Sequence, residues 1–158
     1  MAALEDLPVS PGSYALFLSL PAPVCRQVGR MGTFDFPAGD YIYFGSASGP
    51  GGLRARVCHH ARVASRPNWH LDWLRPDAVL VGGWFAPVSG PWECAWSQAV
   101  SDLPGVVIPA PGFGAADCSQ GCAAHLVAFP QRIAQNDFPR LLEAVSSALA
   151  SRVRWFSV

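Results

Sequence analysis

The sequence predicts one α/β domain of the α+β type, in which helices flank a mainly antiparallel sheet built around three strands. The chain has 158 residues, enough for one domain with a sizeable core and too few for two comfortable ones. Hydrophobic residues make up 51% of it and charged residues 14%, which is typical of a well-buried globule. No repeat, linker or low-complexity segment divides the chain, so we treat residues 1–158 as a single domain.

Three extended segments are predicted before Ala47. Gly12–Leu20 is the first strand, and the prolines that follow it end it. Val24–Phe36 continues the extended pattern as a second segment, and Pro37 and Gly39 after it suit a type I turn. The third strand is DYIYFGSA, which makes this region an antiparallel meander. Period-two alternation places the two tyrosines of that strand on one face and its apolar residues on the other.

A helix is predicted over residues 51–65, GGLRARVCHHARVAS. At about 100° per residue, four apolar side chains form one buried stripe. These are Leu53, Val57, Ala61 and Ala64. Arg56 and His60 are four residues apart and therefore share one shoulder of the stripe.

Two strands and a short helix are predicted further on. Asn68 is expected to cap the short helix WHLDWL. Residues 78–87, AVLVGGWFAP, are predicted to form a strand, and so are residues 125–129, HLVAF, which follow a loop rich in glycine and proline.

Two longer helices are predicted in the second half of the chain. Gly90, Pro91 and Glu93 suit the cap, first and third positions of a helix that runs to about Asp102. A last amphipathic helix is predicted over residues 137–150.

Hydropathy and the N-terminal residues indicate where in the cell the protein is expected. No apolar run approaches the roughly 20 residues that span a bilayer, and the N-terminus is acidic where a signal peptide would be basic. We therefore expect a cytoplasmic protein with no membrane partner.

The formal net charge is zero, which counts against non-specific nucleic-acid binding through overall charge. Four arginines nevertheless cluster beside two histidines, which predicts a locally basic surface. These are Arg54, Arg56, Arg62 and Arg66.

The five cysteines do not form the regular pattern of a small secreted domain, so reduced thiols or a metal site are expected rather than disulfides. Cys118, Cys122 and His125 form a C-x3-C-x2-H motif, and Cys94 is a possible fourth zinc ligand. Two alternatives stay open. Asp117 and His125 would clamp a loop through backbone hydrogen bonds, or a Cys118 or Cys122 thiol would act as a nucleophile with His125.

Tyrosines on strands beside a helix that presents arginine and histidine suit phosphodiester hydrolysis. That reaction needs a base to activate water, a cation to stabilise charge on the phosphorane-like transition state, and often a metal held by a carboxylate. The first two requirements can be met by tyrosine and arginine.

Motifs from the first strand to the helix at Glu93 resemble the GIY-YIG nuclease superfamily in order and spacing. They are Gly12-Ser13-Tyr14, Tyr43-Phe44-Gly45, the pair Arg56 and His60, then His70 and Glu93. The stretches FPAGDYIYFGSASGPGGLRAR, NWHLDWL, EC and DCSQGCAAHL are more closely similar to a small stand-alone branch of that superfamily. This branch is catalogued as a domain of unknown function, and its members are also found fused to endonuclease III. The resemblance covers Gly12 to about Phe129.

The resemblance implies a role for each matching residue. Tyr43 would be the general base and Tyr14 its partner. Arg56 would stabilise charge on the phosphate. His60 and His70 would donate hydrogen bonds or carry protons.

The resemblance also implies a cofactor and a partner. Glu93 would bind a divalent metal, Mg²⁺ or Mn²⁺. The partner would be nucleic acid, with DNA expected and DNA repair as the setting. The residues expected to contact it are Arg54, Arg62, Ser46 and Gly52.

Ordinary structural roles compete with these assignments. Strand tyrosines commonly belong to the core, and Arg56 would pair with Asp72 or Asp77. Glu93 would serve as a helix cap. Neutral charge and the lack of an equivalent for an asparagine found in many superfamily members favour a second hypothesis, a nucleic-acid-binding module with little or no catalysis. Protein partners are not indicated by any motif.

Overall fold

A five-stranded antiparallel sheet organises the computed structural model, which describes residues 2–129, 138, 140, 149 and 151–158. The strands are β1 (Gly12–Leu20), β2 (Val24–Val28), β3 (Gly32–Phe36), β4 (Gly39–Ala47), β5 (Val79–Ala86), β6 (Leu126–Phe129) and β7 (Arg154–Ser157). The large sheet has the order β6-β4-β1-β5-β7, and its neighbouring strands are all antiparallel. The predicted α+β class is confirmed, with a larger sheet than the predicted three-stranded core.

The predicted N-terminal meander is wrong in its pairing. Val24–Phe36 is not one strand but a hairpin, β2 and β3, that forms a separate two-stranded sheet. Most of its residues are exposed, with only Val28 and Phe36 buried. A segment with so few apolar side chains cannot occupy the middle of a sheet that is covered on both faces. β4 therefore pairs directly with β1, with Leu16 opposite Tyr43.

Both faces of the large sheet are buried, in two separate clusters of apolar side chains. Tyr14, Leu16 and Tyr43 belong to one cluster. Phe17 and Phe44 belong to the other. The predicted alternation along β4 is thus confirmed.

Three helices lie in the described part of the chain beside a short 3-10 helix, Leu4–Asp6. They are α1 (Gly52–Ala61), α2 (His70–Leu74) and α3 (Trp92–Ser101). α1 and α2 pack on the tyrosine-containing cluster through Leu53, Val57, Leu71 and Leu74. α3 packs on the opposite cluster through Trp96 and Val100.

The helix α1 ends earlier than predicted, so Ala64 lies beyond it and His60 is buried instead. The Arg75 guanidinium explains the stop, because it donates hydrogen bonds to the backbone carbonyls of His60 and Ala61. Terminal helix carbonyls lack partners within the helix, and these two bonds satisfy them.

Two predicted caps are wrong. Pro91, not Gly90, is the N-cap of α3, and Glu93 is the second helical residue rather than the third. Asn68 does not cap α2, whose N-cap is Trp69. The Asp72 carboxylate accepts hydrogen bonds from the backbone amides of both Asn68 and Trp69. An acid inside the first turn thus replaces the predicted cap.

The predicted strands at 78–87 and 125–129 are confirmed as β5 and β6. The predicted helix over 137–150 falls outside the described residues, apart from three isolated positions. Over the residues that are described, no helix is both long and apolar enough to cross a membrane.

Candidate active-site cleft and cysteine cluster

A cleft of about 220 Å³ opens at the end of the large sheet beside β4. β6 pairs with β4 over Asp40–Tyr43, and the Phe44 amide donates to the His125 carbonyl, so in the described part of the chain β4 has a free edge only beyond Phe44. This gap lets the first turn of α3 reach the cleft although α3 packs on the opposite face. Four of the predicted catalytic residues line it together: Tyr14, Tyr43, Arg56 and Glu93.

Tyr14 and Tyr43 come from the neighbouring strands β1 and β4, and their ring centroids are 6.5 Å apart. Tyr14 is paired with Gly45, and its ring occupies the space that a side chain at Gly45 would fill. Both tyrosines are nearly inaccessible to solvent. Burial raises the pKa of both phenols, against a smaller lowering by Arg56. Both hydroxyls are therefore protonated at neutral pH and are available as hydrogen-bond donors.

The Tyr14 hydroxyl is the first of three buried polar groups that lie in series. Its hydroxyl is 3.1 Å from His60 Nε2, and His60 Nδ1 is 3.6 Å from an Asp72 carboxylate oxygen. Burial lowers the pKa of His60, which outweighs the opposing effect of Asp72. In a neutral imidazole one ring nitrogen accepts and the other donates. A proton on Nδ1 would face the Asp72 carboxylate at 3.6 Å, where Nδ1 makes no hydrogen bond with any described residue, and Nε2 would then accept from the Tyr14 hydroxyl.

Asp72 is the site residue that sequence reasoning missed, since it was considered only as a partner of Arg56. Its carboxylate lies 3.0 Å from His59 Nε2 through both oxygens and also accepts two backbone amides. Burial raises its pKa, but His60 and hydrogen bonds from the backbone and His59 outweigh that effect and lower the pKa well below its usual range. Asp72 is therefore a fixed negative charge behind His60.

The Arg56 guanidinium lies on the ring of Trp69, 4.2 Å from its centroid. The predicted ion pairs of Arg56 are wrong, because Asp72 contacts the histidines and Asp77 forms a bidentate pair with Arg26. The Arg56 guanidinium donates a long hydrogen bond, 3.5 Å, to the Ser46 carbonyl, and it also interacts with the Tyr14 hydroxyl. A stacked guanidinium without a carboxylate partner among the described residues is suited to binding an anion.

Glu93 does not act as a helix cap, which overturns its ordinary structural role. Its carboxylate accepts a hydrogen bond from the Ser13 hydroxyl at 3.0 Å. It is only partly buried and faces the cleft. Asp117 is a second acid in the same lining.

The other predicted residues have different surroundings. His70 is not in the lining of the cleft. Its Nδ1 accepts a hydrogen bond from the Gly114 amide at 2.7 Å, and burial lowers its pKa. Arg54 donates to the Leu7 carbonyl at 2.7 Å, and Gly52 is packed against backbone atoms of Val9. These two residues have structural contacts that the sequence did not predict.

Ser46 and Arg62 remain near the cleft. Ser46 is in its lining. Arg62 is exposed in an adjoining groove that also contains Arg56, His59 and Trp69.

A cysteine cluster forms one wall of the cleft. The ligand atoms of Cys94, Cys118, Cys122 and His125 all lie within 4.8 Å of one another. Cys94 Sγ is 3.6 Å from both Cys118 Sγ and His125 Nε2. These residues could hold a metal ion, and Cys94, suggested as a fourth ligand, is at the centre of the group.

Backbone hydrogen bonds hold the loop that carries this cluster. The His125 amide donates to the Phe113 carbonyl, and the Gly112 amide donates to the Ala123 carbonyl, both at 2.7 Å. The Ser97 hydroxyl of α3 donates to the Ala124 carbonyl at 3.1 Å. The predicted loop clamp is present only in part: His125 contributes through its main-chain amide, Asp117 makes no hydrogen bond with the described residues, and the Ser97 contact holds the loop against α3.

Comparison with known families gives a match to the family described as Domain of unknown function DUF123 over residues 13–147. The chain belongs to this family. No curated protein and no solved structure matches the chain. The matched region contains every cleft and cluster residue named above. The family description assigns no activity, so the chemistry of the cleft has to be argued from its residues.

Proposed function

We propose that the chain is a metal-dependent endonuclease of the GIY-YIG type that hydrolyses phosphodiester bonds in nucleic acid. The observation that carries the proposal is that Tyr14, Tyr43, Arg56 and Glu93 line one cleft. Convergence matters because a single phosphate must reach all four groups at once. The resemblance to a branch fused to endonuclease III favours DNA as the substrate and DNA repair as the setting.

Arg56 is the group that would hold the scissile phosphate. Its position over the Trp69 ring holds the guanidinium at the cleft, and a planar fork can donate two parallel hydrogen bonds to phosphate oxygens. As negative charge grows on those oxygens in the transition state, the same contact becomes stronger. Tyr43, protonated and buried beside it, is a further donor.

The contacts of Tyr14 favour it over Tyr43 as the base, although the resemblance implies the reverse. The attacking water would transfer a proton to the Tyr14 oxygen while the Tyr14 proton moves to His60 Nε2, 3.1 Å away. The resulting imidazolium is stabilised by Asp72. This relay needs no free phenolate, which the raised pKa of Tyr14 disfavours.

Glu93 fits a hard divalent cation, because Mg²⁺ is commonly held by one or two carboxylates together with substrate phosphates and water. Among the described residues the carboxylate accepts one short hydrogen bond, from Ser13, and has a long contact with the Cys94 thiol at 4.0 Å, which leaves lone pairs for a cation. A bound cation would neutralise charge at the phosphate and the leaving oxygen.

The test is cleavage of single-stranded, duplex and branched DNA and RNA with and without Mg²⁺ or Mn²⁺. We expect metal-dependent cleavage by the parent and a loss of about 100-fold or more in Glu93→Gln, with nucleic-acid binding retained. Glu5→Gln, which changes an exposed glutamate in the 3-10 helix, is the matched control. Glu93→Gln as active as the parent contradicts the metal role. A parent that binds the panel and cleaves none of it supports the binding-module hypothesis instead.

A further inference from the structure

Two ligand-to-ligand distances in the cysteine cluster match those of a tetrahedral metal site. With Zn–S bonds of about 2.3 Å and Zn–N bonds of about 2.0–2.1 Å, tetrahedral angles place two ligand sulfurs about 3.8 Å apart, and a sulfur and a nitrogen about 3.6 Å apart. Cys94 Sγ lies 3.6 Å from Cys118 Sγ and 3.6 Å from His125 Nε2. Cys122 Sγ completes a group in which all ligand atoms are within 4.8 Å.

Donor type and burial favour zinc over a hard cation. Three sulfurs and one imidazole are soft or borderline ligands, which select zinc rather than Mg²⁺. Cys94 and His125 are buried, and Cys118 and Cys122 are half-buried. Four protein ligands leave no open position, as in structural zinc sites. The other two cysteines, Cys25 and Cys58, are outside the group.

We propose that Cys94, Cys118, Cys122 and His125 bind one zinc ion, at a site separate from the cation position at Glu93. The ion joins α3, which supplies Cys94, to the loop before β6, which supplies the other three. Glu93 precedes Cys94, and Asp117 precedes Cys118, so the ion holds two acids of the cleft in place. It is a structural site that supports the cleft and does not depend on the proposed nuclease activity.

The experiment measures the metal content of the full chain, purified under reducing conditions and reconstituted with zinc. We expect about one zinc per chain in the parent, because four such ligands bind zinc tightly. Cys118→Ser should reduce the zinc content several-fold. Cys25→Ser and Cys58→Ser are matched controls and should keep the parent's zinc content. Glu93→Gln should also keep it, which separates this site from the proposed nuclease metal.

A second measurement on the unmutated chain guards against variants that fail to fold. Replacing zinc with Co²⁺ should give the visible absorption of a tetrahedral cobalt site and strong sulfur-to-cobalt charge-transfer bands, which report thiolate ligands. A parent that binds no zinc after reconstitution overturns the proposal. So does a Cys94–Cys118 disulfide found in the reduced-purified protein, or alkylation of Cys118 that leaves the zinc content unchanged.

Discussion

Arg56 illustrates how one side chain depends on its neighbour for its chemistry. The guanidinium is stacked on Trp69, 4.2 Å from the ring centroid, and lysine has neither the planar stack nor the two-donor fork. We predict that Arg56→Lys lowers the cleavage rate by about 10-fold or more with little change in melting temperature. Arg62→Lys, on the exposed side of the adjoining groove, is the control and should change cleavage much less. Equal effects of the two substitutions would contradict a specific phosphate contact at Arg56.

The burial of His60 predicts how stability depends on pH. His60 is packed against Tyr14, Tyr43, His59 and Trp69, with Asp72 as the facing carboxylate. Burial lowers its pKa in the folded chain, so the unfolded chain binds more protons below about pH 6.5. The contribution of neutral His60 to the free energy of unfolding is therefore fully present above about pH 6.5, and it is lost as the pH falls through the lowered pKa.

The measurement is melting temperature against pH for the parent and His60→Gln. The variant should take up fewer protons on unfolding below about pH 6.5, by up to about one. Its melting temperature should therefore fall less steeply with acid. Identical slopes would show that His60 keeps an ordinary pKa in the folded chain.

The contact between β1 and β4 sets the position of Tyr14. The Tyr14 ring occupies the space beside Gly45, where any side chain would collide with it. We predict that Gly45→Ala displaces the hydroxyl from His60, strongly reduces cleavage and destabilises the fold by about 1–3 kcal/mol through overpacking.

The matched control for this substitution is Gly49→Ala, because Gly49 has open space around it. That variant should unfold and cleave nearly as the parent does. Urea unfolding and the cleavage assay together check both variants. If Gly45→Ala behaves like Gly49→Ala, close packing at Gly45 is not what holds Tyr14.

Element-level patterns were predictable from the sequence where they depend on local periodicity. Alternation placed Tyr43 on one face of β4, and helical spacing placed Arg56 and His60 together on one side of α1. Pairing was not predictable, because the polar β2–β3 hairpin leaves the large sheet and only the full fold brings β4 beside β1. The role of Asp72 was not predicted because it depends on the burial of His60 among aromatic side chains, which only tertiary packing brings about.

The cysteine cluster was also only partly predictable from the sequence. The motif of Cys118, Cys122 and His125 was visible as a spacing in one loop. Cys94 belongs to α3, and only packing of the loop against that helix brings its sulfur into the group. In the sequence, the only indication that Cys94 belongs to this group was that it is a further cysteine, next to the predicted metal ligand Glu93.

At the scale of the whole molecule, the chain is neutral and its charges are unevenly placed around the cleft. Eleven basic and eleven acidic residues give a formal net charge of zero. The α1 side of the cleft carries Arg56, with Arg62 exposed beside it, and the opposite wall carries Glu93 and Asp117. A phosphodiester between these walls would face a guanidinium on one side and a carboxylate-bound cation on the other. Such local polarity suits recognition of one phosphate more than attraction of a long duplex.

The most direct test of the nuclease proposal is a crystal structure of the chain soaked with Mn²⁺ and a short oligonucleotide. We predict an anomalous manganese peak within about 2.0–2.3 Å of the Glu93 carboxylate, with a backbone phosphate hydrogen-bonded to Arg56 and close to the hydroxyls of Tyr14 and Tyr43. A bound oligonucleotide whose phosphates lie outside the cleft, with no manganese at Glu93, would contradict it.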